Sequence, residues 1–579
     1  MRLSNKRGVL LLIASIVMVV AAVLTGVYLS GLVSEKKNVE DSRFILQARS
    51  LAEAGANQGV VELRKRLLTD LLEAVGAERQ YNQLSPYAAS TATALNFLRD
   101  YAGFTVSGGA ATLTITPEPL NSAVEGNFST TTITVTATAA PEPEPTDETI
   151  LFHYAYTIQS TGTVTRTTPA ISKQVILTGS GFDIEVRREN FAKFALFTHN
   201  HTTSGGTTVW FTENTNFSGP VHTNDRFSFA GNPSGHFTDK VTQKQNTARF
   251  YNNGNSKFSN SAEYPAGCTG SSCRDLPTFE AGFSRGEDII NLESSFTQTE
   301  LINWATGGQS ITTNGVFVPN SGGSLVGGIY IRGNEGSHSD DPVITLGVNG
   351  DGDPQYTIVR SGATTTIAVD TSANTTTVTT ASGSNTYSGI PDGSEHEGIL
   401  IYTNDDIGGL SGTVDNDTQI TVSSQKDIVI TGNILYQNYT PDDPATTSVN
   451  ELSANGYNNL AGIMSWGGNV RIGTGAPSNI VIHGVVLARN GVFSVDNHDS
   501  GSSRGTATLL GGMITQFYGA FGTFGGWGGD TGYGRNFVYD PRVLHGMAPP
   551  YFPIMDNFGA YVEPENILLA RPTWREKDI

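Results

Sequence analysis

His199 and His201 lie two residues apart. On a strand they would point to one face, as some pairs of zinc ligands do. His222 is the third candidate ligand, with Asp225 near it. The competing reading makes His222 a hydrogen-bonded turn residue, because its surroundings are rich in Thr and Asn. Asn349-Gly-Asp-Gly-Asp353 opens as a calcium loop opens, but Pro354 stands where that loop needs Gly and Arg360 where it needs a bidentate Glu. Calcium is therefore the single cofactor with any signal, and otherwise none is expected. Asp405, Asp406, Asp415, Asp417 and Asp427 could supply paired carboxylates for glycoside chemistry. They sit in turn-like contexts, where carboxylates are usually solvated, so no catalytic residue is assigned and a non-enzyme is expected. Cys268 and Cys273 enclose Thr-Gly-Ser-Ser, which is too long a spacing for a CxxC redox pair. Oxidised, they would staple a short loop and stabilise it by about 2 kcal/mol.

These groups must be carried by larger elements. A chain of 579 residues implies two to four domains, and its net charge of −19 argues against nucleic acid as a partner. Residues 9–32 contain no charge and are dominated by Leu, Ile, Val and Ala. As a helix they would span roughly 36 Å, enough to cross a bilayer. Arg2, Lys6 and Arg7 precede them, which predicts a cytoplasmic N-terminus and an exported body. A cleaved secretory signal fits less well, since the run is long and no A-x-A site follows. Phe44, Leu51, Ala54, Val61, Leu68 and Leu72 extend a helical pattern through residues 36–72. Strand-like runs follow at 104–106, 111–116, 131–138, 152–159 and 171–178, so this region reads as an α+β unit. Pro141-Glu-Pro-Glu-Pro145 is expected to be a stiff connection.

Three motifs carry a resemblance. Arg7-Gly8 followed by Val9-Leu-Leu-Leu-Ile13 resembles the leader junction of type IV pilins and pseudopilins. Ala48-Arg-Ser-Leu-Ala-Glu-Ala-Gly55 is similar to the N-terminal helix of PilX-like minor pilins. Tyr156-Thr-Ile-Gln-Ser-Thr-Gly162 resembles a pilin sheet strand. The resemblance implies cleavage after Gly8, methylation of Val9, and assembly with pilin or pseudopilin subunits. Pilins usually carry Glu at the fifth mature position, here Ile13, and that departure points to a tip or minor role. Further on, Gly219-Pro-Val-His-Thr-Asn224, Phe227-Ser-Phe229, Tyr539-Asp-Pro-Arg542 and Pro549-Pro-Tyr-Phe-Pro553 resemble a bacterial surface domain family of unknown function, over about 190–555. That family lends no activity.

Beyond residue 325, short apolar runs such as Ile399-Leu-Ile-Tyr402, Ile428-Val-Ile430, Ile480-Val-Ile482 and Val485-Val-Leu487 alternate with Gly, Asn and Asp. They predict rungs of a parallel β-helix, with a β-sandwich as the alternative. The aromatic, Gly-rich stretch 517–553 is expected to cap the last rung. Its alternative role is a platform for a surface glycan or protein ligand.

The expected fold is mainly β, with an N-terminal transmembrane helix, a pilin-like α+β unit and a β-rich body. Boundaries are drawn at 1–35 (leader and membrane helix), 36–183 (pilin-like unit), 184–310 (β-rich domain with the cysteine loop), 311–555 (solenoid-like domain) and 556–579 (tail). The expected function is a minor-pilin-like structural or adhesion protein, held in the bacterial inner membrane with its body periplasmic or at the cell surface. The alternative is a surface-anchored, polysaccharide-active β-helix enzyme.

Overall fold

A long apolar run without Pro that satisfies its own backbone forms a helix, and the computed structural model has one from Ser4 to Lys65. It continues through a π turn, Arg66–Asp70, into Leu71–Gly76. The structure describes residues 4–115, 127–145, 148–165, 170–179, 181–212, 215–230, 235–252, 255–259, 277–292, 296–334, 338, 340–437, 458–523, 530–562 and 573–578. Two units result: Met1–Arg187 with Asn557–Ile579, and Arg188–Asp556. Residues 184–310 and 311–555, drawn above as separate bodies, thus fall almost wholly in one unit.

In the first unit the long helix lies against an antiparallel sheet. Its strand order is Thr105–Ser107, Ala110–Ile115, Asn127–Ala137, Thr149–Val164, Ile171–Thr178 and Thr573–Asp578. Thr149–Val164 alternates buried and less buried residues along its length, and its Phe152 and Tyr154 face the core. A second helix, Thr91–Ala102, closes that core: Phe97 stacks on Phe152 at 4.5 Å, and Tyr154 Oη donates to the Ala94 carbonyl at 2.7 Å. Ser90 caps its start in a capping box, and Gly103 ends it in the left-handed region at φ 71°.

Three expectations need correction here. The buried stripe of the long helix is Ala48, Leu51, Ala52, Ala56, Leu63, Leu67, Leu71 and Val75, whereas Ala54 and Val61 face outward. Alanines take the inner face at 48, 52 and 56, and Leu63, Leu67, Leu71 and Val75 fill the rest of the stripe. Within the Pro-rich run, Glu142–Glu144 pairs antiparallel with Thr149–Leu151 as an edge strand, a place where Pro is tolerated. The expected C-terminal tail instead supplies Thr573–Asp578 to the edge of Ile171–Thr178. Only a non-local partner makes that segment a strand.

The second unit is built on parallel ladders. One runs Ile329–Arg332, Ile399–Thr403, Gln419–Ser424, Leu460–Ser465, Val485–Ala488, Met513–Phe517, Leu196–Asn200, Val221–Thr223, Val241–Gln243 and Phe283–Arg285. Register places Ile329, Ile401, Val422, Ile463, Val486, Met513, Leu196, Val221, Val241 and Phe283 in one buried column. Each such side chain contributes about 1.5–3 kcal/mol by burial. A parallel column two residues on holds Thr403, Ser424, Ser465, Thr515, Thr198 and Thr223. There the hydroxyls end the strands, accepting from backbone N–H groups further on: Asp405 to Thr403, Lys426 to Ser424, Gly468 to Ser465, Asp225 to Thr223. A second ladder stacks Val343–Val348, Ile407–Val414, Ile428–Tyr436, Val481–His483, Ser503–Leu510 and Thr531–Val538 in parallel. Val343–Ser388 extends it as an antiparallel meander.

The strand order overturns the expected cap. Met513–Phe517 pairs onward with Leu196–Asn200, so the apolar edge at that rung is filled by an earlier part of the chain. Within the described part of the aromatic stretch, Tyr539 Oη donates to the Lys193 carbonyl, and Phe537 packs 6.3 Å from Phe217.

Candidate functional sites: the assembly helix, the histidines and an acidic turn

Two of the pilin-resembling motifs meet. A Cβ at Gly162 would lie 2.1 Å from the Ala48 carbonyl oxygen and 2.5 Å from the Ala52 nitrogen. Gly59 is similarly close to Ile158. The Ala48–Gly55 segment therefore rests directly on the Tyr156–Gly162 strand. Arg49 and Glu53 pair across one turn on the exposed side at 3.0 Å. Gly8 and Val9 lie within the helix, and Ile13 is 55% exposed. The most apolar window of the helix has mean hydropathy 2.5 and is wholly exposed, long and apolar enough to cross a membrane.

His222 occupies the parallel ladder, stacked on Phe197 at 5.3 Å. Its Nε2 donates to Asn224 Oδ1 at 3.0 Å and its Nδ1 lies 2.8 Å from Thr242 Oγ1. Asn224 also donates to His199 Nδ1 at 3.1 Å, and its amide bonds both the N–H and the carbonyl of Ile290. His199 and His222 are thus joined through an amide rather than through shared ligand geometry. His201 sits apart, ringed by Phe211, Phe227 and Tyr518, with its backbone N–H bonded to Asp225. Burial, aided by Arg535, pushes its imidazole down to about 3. Burial likewise pushes His222 down to about 4, as it does His483. All three are neutral in the folded chain at neutral pH.

The carboxylates sort into two kinds. Asp415 holds its own turn, its Oδ1 accepting from the Asp417 N–H and Thr418 hydroxyl. Asp417 accepts from Asn458 at 3.4 Å. Asp406, Asp427 and Asn469 form a ladder instead: each accepts from a backbone N–H of the next rung, Asp427, Asn469 and Val492 respectively. Arg471 pairs with Asp427 and Asp496. At the head of this ladder, Asp406 Oδ2 lies 3.4 Å from His338 Nδ1, which is 3.3 Å from Asp341 Oδ2. Among the described residues this is the one group of three or more His, Cys or acidic ligand atoms lying within 4.8 Å of one another. Burial, reinforced by Asp406 and Asp405, pushes the Asp341 carboxyl up, although His338 opposes the shift. Sequence reading named Asp405 and Asp406 but missed Asp341 and His338, which only the pairing of Val343–Val348 with Ile407–Val414 brings near.

Asn349–Asp353 is a hairpin turn closed by its own first residue, whose Oδ1 accepts from the Asp351 and Asp353 N–H groups. Cys268 and Cys273 lie outside the described residues. Gly501-Ser-Ser-Arg-Gly505 spells the Gly-x-Ser-x-Gly pattern, but it leads into a strand, Ser503–Leu510, and not into the helix a nucleophile elbow requires.

Residues 151–245 match a family described as Domain of unknown function (DUF4900), a span beginning earlier and ending earlier than the 190–555 expected. The chain is also similar to the competence-associated pilin ComZ from Thermus thermophilus, whose crystal structure aligns at 11% identity over 90% of this chain and 98% of that one, with a TM-score of 0.30. No curated protein matches the chain.

Proposed function

We propose that this chain is a minor-pilin-like surface protein. Its N-terminal helix anchors it in the bacterial inner membrane and, after processing between Gly8 and Val9, packs with pilin or pseudopilin helices. Its β-rich body is carried outside as an interaction or adhesion module. The two-part character of the helix is the observation that carries this reading. Side chains from Leu11 to Val33 are exposed and mostly apolar, whereas Ala48 to Val75 contribute a buried stripe against the sheet. An exposed apolar stretch of that length requires lipid or other apolar helices around it. Ile13 in place of an acid favours a tip or minor position over a bulk subunit. We read the parallel ladders of the second unit as rungs of a β-solenoid, because in-register Ile, Val and Leu columns bury one face of each rung.

The test is the mass of the mature N-terminus, together with the protein's presence in sheared surface filaments. A chain beginning at N-methylated Val9 and recovered in filaments is the expected result. An intact Met1, or cleavage beyond Leu32, would sink the assembly reading.

A further inference from the structure

We propose that His338, Asp341 and Asp406 hold a divalent transition-metal cation of the Mn2+ or Zn2+ class. The ligand atoms have the right separations: 3.3 and 3.4 Å from His338 Nδ1 to the two carboxylate oxygens. Those are edge lengths of a coordination polyhedron with bonds of about 2.0–2.2 Å. Asp406 is oriented in advance, since its Oδ1 is held by the Asp427 N–H and only Oδ2 is left to turn toward His338.

A second observation points to a missing positive charge. Asp405 is 1% exposed, and its Oδ2 has no hydrogen-bond partner; nor do the buried Oδ1 atoms of Asp340 and Asp341. Buried acceptors of this kind are costly when left unpaired. Among the described residues, Asp340, Asp341, Asp405 and Asp406 meet two fixed cations, Lys426 on Asp405 and Arg360 on Asp340, which leaves a formal −2 before His338 is counted (−4 + 2 = −2). The backbone is also shaped for the acids. A Cβ at Gly333 would fall 2.6 Å from Asp405 Oδ2, and one at Gly408 would fall 3.0 Å from Asp341 Cβ. A larger residue at Gly333 would displace the Asp405 carboxylate, and one at Gly408 would press on the Asp341 side chain. A nitrogen ligand among oxygens favours a borderline metal over Ca2+, which takes oxygen alone.

The metals themselves are the probes. Full-length protein in detergent, stripped with chelator and dialysed against Mn2+ or Zn2+, should retain about one equivalent and melt at a higher temperature than the stripped form. With Mn2+, spin-echo spectroscopy should show coupling to one imidazole nitrogen. His338→Ala, at an exposed side chain whose loss should not unfold the chain, should abolish that coupling and weaken binding at least about tenfold. Asp341→Asn should weaken it similarly, while Asp353→Asn in the hairpin turn should bind as the parent does. No retained metal, or binding unchanged in both H338A and D341N, would overturn the site and leave His338 as a plain polar partner of the two carboxylates. Ca2+ displacing Mn2+ at equal concentration would overturn the metal class.

Discussion

Gly162 and His201 each set a local limit that can be measured. Replacing Gly162 by Val puts a branched side chain where the Ala48 carbonyl already stands. We expect a loss of about 3 kcal/mol or more in urea unfolding of the first unit. Gly76→Ala, with open space around it, should change stability by less than about 0.5 kcal/mol. The buried histidines give a pH dependence whose sign is fixed. Their folded-state values lie below the ordinary 6.5, so below that pH the unfolded chain binds protons that the folded chain refuses. Stability should be full above pH 6.5 and fall as the pH drops toward 4, by about 1.4 kcal/mol per histidine per pH unit. His201→Leu should flatten the slope by one histidine. An unchanged slope would show that His201 is solvated.

At the scale of elements, the N-terminal helix and the strand Thr149–Val164 were legible in the sequence because each keeps one period over many residues. The inner face of the helix was not. Leu51 is buried as its size advertises, but Val61 is exposed, and the close approach at Gly162 brings Ala48 and Ala52 inward. The ladder rungs could be located as short apolar runs, while their order could not, since register between three-residue strands leaves no local trace. The acidic turn shows the same limit: Asp341 and Asp406 stand 65 residues apart in the chain and meet only through parallel pairing. The column itself is testable. Val422→Ala, on a fully internal rung, should cost about 1–3 kcal/mol, whereas Thr379→Ala on an exposed hairpin strand should cost little.

For the whole molecule, the ladder follows chain order except at one junction. Leu196–Asn200 takes as its neighbour Met513–Phe517, which is synthesised about 310 residues later. A chain truncated after residue 510 would therefore lack the strand that covers both Leu196–Asn200 and Val485–Ala488, and the second unit should fail to give the single cooperative unfolding transition expected of the full chain. Limited proteolysis would report it as early cleavage within residues 188–290. At synthesis rates of roughly 5–20 residues per second, the early strands must wait on the order of 15–60 s with one edge bare. A chain whose segments appear in order from the N-terminus cannot complete this ladder until Met513–Phe517 has been made. It carries a built-in delay, during which those bare edges must be kept from joining the wrong chain.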